Sequence, residues 1–268
     1  MTVVADTPTT VEVQNFIDPG KFELPRLLHR VVQMLRAELS LCRGALEGED
    51  LRKLAVIDEI EEEVDRFYIL MVRQLLLSSD SPRIARDIDV ESHHYQIGDR
   101  LVAKVLEVIG DLLHAVGADL QKYLPTLRQS APRVVRELAV RTERLDRLLA
   151  RTMEAFGLLS LVEANAILNL LGELLPKDQE YGLEVARRVR DRRAAVGAQR
   201  ISCSLDMALE MLIIVNEVTI NRGVEPSTEL SPGSHPLPAG RSVRASKERS
   251  ETEIAILAGK RKPRRSTS

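Results

Sequence analysis

The architecture is indicated most clearly by residues 61–77, which read Glu61-Glu62-Glu63-Val64-Asp65-Arg66-Phe67-Tyr68-Ile69-Leu70-Met71-Val72-Arg73-Gln74-Leu75-Leu76-Leu77. No Gly, Pro or Asn interrupts this segment. Apolar residues recur three or four positions apart, at Ile57, Ile60, Val64, Phe67, Met71 and Leu75. That spacing predicts an amphipathic helix that buries one stripe of side chains. Glu61 and Asp65 are four residues apart, so both project from the same face of this helix.

Composition places the chain among helix-rich globular proteins. The 268 residues include 44% hydrophobic and 29% charged residues, only 3% aromatic residues and no Trp. Strands favour β-branched and aromatic residues together, so this mixture favours helices. The net charge of −2 gives the whole chain no bias towards polyanions.

Localisation is predicted to be cytoplasmic. The two cysteines are too few for a disulfide framework and indicate a reducing compartment. Residues 1–19 lack the basic and apolar regions of a secretory signal. Every long apolar run is interrupted by charged residues before it reaches the ~20 residues of a membrane-spanning helix, so we expect no membrane insertion.

The order of apolar runs and prolines predicts an all-α fold of two tandem three-helix bundles, at residues 21–124 and 131–223. The six predicted helices cover about residues 25–46, 49–77, 91–124, 132–156, 159–193 and 201–221. Pro125 is expected to end the third helix, Pro176 to kink or break the fifth, and Gly197 to close it. A short helical turn is expected at Arg83–Asp87. Residues 1–20 are expected to be irregular, and the tail of residues 224–268 to be disordered.

Pairs of carboxylates four residues apart are no more frequent than chance would make them. Forty acidic residues give eight such pairs in this sequence, against roughly six expected from random placement on helical spacing. The spacing of these pairs alone therefore carries no information about a site.

The surroundings of two pairs are more informative. Glu107 and Asp111 lie in an almost continuous apolar run, as do Asp206 and Glu210, and His114 extends the first pair by one turn. Like charges in apolar surroundings require a cation, a basic partner or protonation. A hard or borderline divalent metal would suit several carboxylates from adjacent helices. The alternative is a set of ion pairs between helices, made by Arg66, Lys104 or Arg100.

Three segments resemble regulators of the PhoU type, which act in phosphate transport, and in particular their archaeal branch. Residues 61–77 are similar to the second helix of that family. The run Leu101-Val102-Ala103-Lys104-Val105-Leu106-Glu107-Val108-Ile109-Gly110-Asp111 is similar to its third helix, and residues 204–222 to its closing helix. The resemblance spans roughly residues 20–223. Val108 and Leu112 stand where the family has Arg and His.

The resemblance implies two PhoU-like three-helix repeats in a cytoplasmic regulator that often forms a homodimer. It implies binding of a divalent or iron-type metal at Glu61, Asp65, Glu107 and Asp111, and more weakly at Asp206, Glu210 and His114. Components of a phosphate ABC transporter or a sensor kinase are the implied partners. Only about seventeen residues precede Asp18, too few for the AbrB-like DNA-binding domain of archaeal relatives, although residues 11–13 resemble a remnant strand.

The remaining features favour structural explanations over catalysis. His93 and His94 are adjacent and diverge on a helix, which favours a loop or capping role. Cys42 and Cys203 lie in apolar helices and are expected to be small core residues. The chain shows no nucleophile–base order and no glycine-rich phosphate loop, so we expect a protein that is not an enzyme.

The basic tail leaves a second function class open. Residues 239–268 hold nine Lys or Arg residues against three Glu, and five of the basic residues fall within 260–265. This run could contact DNA, which would make the chain a transcriptional regulator or a helical scaffold. It could equally fold back on the acidic body of the same chain.

Overall fold

A computed structural model describes residues 2–7, 10–14, 22–90 and 93–224. The body is all-α, as the sequence predicts. Seven α-helices are present in the described part of the chain: α1 (Leu24–Glu47), α2 (Val56–Asp80), α3 (Pro82–Asp87), α4 (His93–Ser130), α5 (Pro132–Gly157), α6 (Leu161–Arg188) and α7 (Arg192–Val224). A 3₁₀ turn at Leu51–Ala55 leads into α2. The tail expected to be disordered lies outside the described residues.

The segment before the helices is not wholly irregular, contrary to expectation. Strands β1 (Thr2–Thr7) and β2 (Thr10–Gln14) form an antiparallel hairpin in which Thr2 pairs with Gln14 and Thr7 with Thr10. The strand that residues 11–13 suggested is part of β2. The Val residues of both runs suit a strand.

Helix ends follow local signals at several places. Pro25 occupies the first turn of α1, and Gly48 ends that helix with φ 119°, a conformation that glycine adopts without strain. The Ser81 and Ser160 side chains accept hydrogen bonds from backbone N–H groups at the starts of α3 and α6. The predicted turn at residues 83–87 is confirmed as α3 and begins one residue earlier.

Three expected helix breaks are wrong. Helix α4 continues through Pro125 to Ser130, and α6 continues through Pro176 to Arg188. Leu124 and Leu127 are completely buried on either side of Pro125, so packing outweighs the cost of about 3 kcal/mol for a proline inside a helix. Gly197 lies inside α7, where a Cβ atom would overlap the Tyr123 side chain. The glycine permits a close helix crossing and does not end a helix.

The two halves share one hydrophobic core. Helices α1, α2 and α4 make up the first half, and α5, α6 and α7 the second. Apolar side chains of all six are buried in a single cluster that includes Leu35, Met71, Leu106, Leu145, Ile167 and Leu209. Helix α4 packs antiparallel to α7: the Arg222 Nη2 atom lies 2.5 Å from the Asp99 Oδ1 atom at one end, and Arg200 Nε lies 2.9 Å from Asp119 at the other. The bundle is therefore a single packed body across the halves.

Candidate functional site

Helices α2 and α4 run antiparallel in a register that three contacts define. Gln96 Nε2 donates to Ser78 Oγ at 2.8 Å. Lys104 Nζ lies 5.2 Å from the centre of the Tyr68 ring. His114 Nε2 lies 2.9 Å from Asp58 Oδ1. In this register Glu61 and Asp65 on α2 come opposite Asp111 and Glu107 on α4.

The structure brings the four predicted carboxylates into mutual electrostatic contact. Burial raises the pKa of Glu61, and the charges of Asp65 and Asp111 raise it further. Burial also raises the pKa of Asp111, with Glu107 and Asp65 adding to the effect. We call Glu61, Asp65, Glu107 and Asp111 the acidic cluster. Sequence reasoning therefore identified residues that are near enough to influence one another's ionisation, although they come from two helices.

Cations compensate only part of this negative charge. Lys104 Nζ forms an ion pair with Glu107 Oε2, which is one of the bridges left open as an alternative to metal. His114 lies close enough to oppose part of the rise in the pKa values of Glu61 and Asp111. The other two cations that the sequence suggested as partners make different contacts. Arg66 pairs with Glu62 and Glu63, and the Arg100 guanidinium lies 5.2 Å from the centre of the Tyr68 ring.

Glu38 on α1 is a member of this site that the sequence analysis missed. Its side chain is completely buried, and neither carboxyl oxygen has a hydrogen-bond partner. Burial, and then the charge of Glu61, raise the pKa of Glu38 to about 8. A signal was present in the sequence: Glu38 follows Leu35 by three positions and precedes Cys42 by four, which places it on the apolar stripe of α1.

Two buried aspartates of the second half are paired with arginines of α5. Arg141 on α5 is buried and binds Asp206 through Nη2. Its Nη1 donates to Ser202 Oγ at 2.9 Å, and its guanidinium lies 5.1 Å from the centre of the Tyr181 ring. Asp178 on α6, also buried, pairs with Arg144 and lies 3.8 Å from Arg141 Nε. Burial raises the pKa of Asp206, and Arg141 opposes that shift. Asp206 is thus in an arginine bridge of the kind the sequence left open.

Glu210, the other weaker candidate in the second half, lies apart from that bridge. Its Oε1 accepts a hydrogen bond from Gln179 Nε2 at 3.1 Å. The two halves therefore differ in the charge that the first helix contributes. Helix α5 places the cation Arg141 against two carboxylates, whereas α1 adds a fifth acid, Glu38, beside Glu61.

The acidic cluster has the ligand atoms that a hard cation prefers, but its side chains do not form a complete coordination site. All members of the acidic cluster offer carboxylate oxygens, the ligands that Mg²⁺, Ca²⁺ and Mn²⁺ prefer. The buried Glu38 oxygens next to the cluster have no hydrogen-bond partner among the described residues. Within residues 22–90 and 93–224, however, no three His, Cys, Asp or Glu side chains lie together as a metal-binding group.

A cleft of about 620 Å³ lies between the halves and contains none of the predicted site residues. Its walls include Leu28 and Val32 of α1, Tyr95 of α4, and Met153 and Phe156 of α5. Arg222 closes one end, since its Nη2 donates to the Tyr95 carbonyl oxygen at 3.0 Å and its guanidinium lies 4.4 Å from the centre of the Phe156 ring. The charges at this end are paired.

The other candidates of the sequence analysis have simple placements. Cys42 is buried, as expected, whereas Cys203 is exposed and is not a core residue. Burial raises the pKa of the Cys42 thiol, which makes it unreactive. His93 and His94 form the first turn of α4, and their side chains lie outside the described part. None of the described helices is long and apolar enough to cross a membrane.

Comparison with known proteins adds no assignment. Neither a protein-family model nor a curated protein sequence matches the chain.

Proposed function

We propose that this chain is a regulator of phosphate uptake and phosphate signalling that acts through protein–protein contact and turns over no substrate. The proposal rests on the resemblance of three segments to PhoU-type regulators, in the same order and spacing. The six long helices, divided three and three, are compatible with the two repeats that the resemblance implies. Components of a phosphate ABC transporter or a sensor kinase are the proposed partners, in the cytoplasm and with a homodimer as the acting form.

The observation that carries the metal-binding part of the proposal is the incomplete charge compensation in the first half. Burial and neighbouring carboxylates raise the pKa values of Glu61 and Asp111 there, and the carboxyl oxygens of the buried Glu38 have no hydrogen-bond partner. In the second half, by contrast, the buried Asp206 is paired with Arg141. Such asymmetry favours a bound cation at the first half alone. Glu61, Asp65, Glu107 and Asp111 would hold it, and the ion would supply the positive charge that Arg141 supplies in the second half.

Metal analysis of the purified protein tests this cation site. We expect at least one equivalent of divalent or iron-type metal after incubation and desalting, and less than a tenth of that in the double variant Glu107→Gln/Asp111→Asn. The control is Glu62→Gln/Glu63→Gln, which also removes two carboxylates, both exposed ones on α2 outside the acidic cluster. Equal and substoichiometric metal in all three proteins contradicts the metal site.

Phosphate uptake in cells tests the regulatory role separately. After phosphate is restored to starved cells, a strain that lacks the chain should continue rapid uptake of labelled phosphate. Reintroduction of the wild-type gene should restore the normal decrease in uptake. The partner should co-purify with the chain from phosphate-replete cells. Unchanged uptake in the deletion strain argues against the regulatory role, whatever the metal content of the protein.

The basic run at residues 260–265 supports a second candidate function, a transcriptional regulator or scaffold that contacts DNA through its tail. Phosphate contacts alone would give affinity that falls steeply with salt and carries little sequence preference. DNA binding by the full chain, measured from 50 to 200 mM salt with and without changes of Arg261, Arg264 and Arg265 to Ser, separates the two. Sequence-specific binding that depends on these arginines favours the second candidate.

A further inference from the structure

Four exposed apolar side chains lie at one end of the face between α2 and α4. Leu76 is 63% exposed and Ile97 is 71% exposed, and Ile69 and Leu101 are both more than two-fifths exposed. Scattered apolar residues are normal on a protein surface, whereas a contiguous group marks an interaction site. The pairing of Ser78 with Gln96 and of Tyr68 with Lys104 fixes the register and places Leu76 and Ile97 at the same level along the two helices. We call Ile69, Leu76, Ile97 and Leu101 the apolar end of this face.

The acidic cluster occupies the other end of the same face. Fourteen residues of α4 separate Ile97 from Asp111, which corresponds to about 21 Å at the helical rise of 1.5 Å per residue. Between the two ends, Arg100 and Lys104 lie against the Tyr68 ring. An occupant of this face must therefore present an apolar group first and positive charge about 20 Å further along.

The C-terminal tail carries these two features in the required order and spacing. Ile254-Ala255-Ile256-Leu257 is the apolar run, and Lys260-Arg261-Lys262-Pro263-Arg264-Arg265 follows it. Six residues separate Ile256 from Lys262, which is about 20 Å in an extended chain. The apolar segment is thus at the right distance from the basic one to match the two ends of the face.

The end of α7 lies close to the apolar end. Arg222 Nη2 donates to the Tyr95 carbonyl oxygen, two residues before Ile97 on α4. Residues 225–253 join Val224 to the apolar run, and a chain of that length has a root-mean-square span of about 30 Å. Covalent attachment at this range gives the tail an effective concentration of the order of millimolar for its own bundle. Asp206 of the second half is less available to the lysines and arginines of the tail, because Arg141 already binds it.

We propose that the tail of this chain docks on its own α2–α4 face, with Ile254–Leu257 on the apolar end and Lys260–Arg265 on the acidic cluster. The docked tail covers the exposed Leu76 and Ile97 side chains and neutralises carboxylates that the body leaves uncompensated. This docking does not depend on the proposed role in phosphate regulation.

Carbodiimide cross-linking of the full chain tests the docking, because it joins a lysine amine to a carboxylate in direct contact. The protein is mixed as ¹⁴N and ¹⁵N forms, treated with a metal chelator, cross-linked at low salt and digested with chymotrypsin for mass spectrometry. The Lys104–Glu107 ion pair supplies an internal reference link. We expect Lys260 or Lys262 to be linked to Glu61, Asp65, Glu107 or Asp111 within single-isotope chains.

Two variants should reduce these links at least fivefold relative to the reference link: Leu76→Asp on the body and Ile256→Asp on the tail. Leu183→Asp, at a 60% exposed position of α6, is the matched control and should leave them unchanged. The proposal is overturned by links spread evenly over carboxylates of both halves, or by links that persist in Leu76→Asp. Links between ¹⁴N and ¹⁵N chains also overturn it, because they make a second copy the occupant.

Discussion

The carboxyl group of Glu38 is buried next to Glu61, and neither of its oxygens accepts or donates a hydrogen bond. An ionised carboxylate in such surroundings is costly, so the group takes up a proton or attracts a cation. In the other half, Arg141 on α5 provides the cation that α1 lacks. The two halves therefore differ in how their buried acidic side chains are compensated.

Replacement of Glu38 by Gln should remove a dependence of stability on pH. The pKa of Glu38 is raised from 4.5 to about 8 in the folded protein, so the folded state holds the proton more tightly than the unfolded chain does. The resulting stability is fully present below pH 4.5 and is lost as the pH rises through 8. The loss is on the order of 4 kcal/mol by linkage. Urea unfolding of chelator-treated protein from pH 5 to 9 measures it.

The Glu38→Gln variant should therefore gain stability relative to the wild type as the pH increases. Glu62→Gln, an exposed change on α2, serves as its control and should follow the wild-type curve. Parallel curves for Glu38→Gln and the wild type would show that Glu38 does not titrate as described.

Removal of the buried arginine of the second half should be severely destabilising. Arg141→Met leaves Asp206 and Asp178 buried without their shared cation, which costs about 3–5 kcal/mol. The double variant Arg141→Met/Asp206→Leu should recover part of that loss. Arg147→Met on the same helix removes only an exposed pair with Glu143 and should cost less than about 1 kcal/mol. Equal losses in the two single variants, by urea unfolding, would contradict the buried network.

Two glycine substitutions should have opposite signs. Gly197→Ala brings a Cβ atom into the Tyr123 side chain at the crossing of α4 and α7, and such overpacking costs about 1–3 kcal/mol. Gly172→Ala on α6 meets no atom within 4 Å and should stabilise the helix by about 0.5–1 kcal/mol. Thermal unfolding of the two variants checks the crossing, and a Gly197→Ala variant as stable as the wild type would refute it.

Removal of Lys104 should strengthen binding of a divalent cation. Lys104 pairs with Glu107, so it competes with an ion for the same carboxylate. We expect Lys104→Ala to bind Mn²⁺ roughly threefold or more tightly, because a nearby positive charge is lost. Lys122→Ala, which removes a lysine stacked on Tyr123 of the same helix, should leave the affinity unchanged. Calorimetric titration measures both, and weaker binding by Lys104→Ala would contradict the competition.

Helical periodicity was sufficient to predict the fold class and most helices. Periodicity does not show which distant segments of the chain pack against each other. Gly197 looks like a helix end until Tyr123 is known to lie against it, and Pro125 looks like a break until the burial of its neighbours is known. Both signals depend on contacts between distant parts of the chain.

The candidate site was likewise only partly predictable from the sequence. Glu107 and Asp111 were found because an apolar run surrounds them, and Glu61 and Asp65 through the resemblance to PhoU-type regulators. The register of α2 and α4 places the two pairs opposite each other. Glu38 was missed although it lies on an apolar stripe, because no second acid on α1 marked it. The pairing of Arg141 with Asp206 spans 65 residues, and no local pattern in the sequence indicates which of many arginines meets that aspartate.

Anomalous scattering from a crystal soaked in Mn²⁺ tests the cation site most directly. The account predicts a peak between α2 and α4, about 2.0–2.6 Å from carboxylate oxygens of the acidic cluster, and no peak at Asp206 beside Arg141. The peak should disappear in Glu61→Gln/Asp111→Asn crystals soaked in the same way. A wild-type crystal with no anomalous peak at the acidic cluster, or with equal peaks in both halves, would contradict the account.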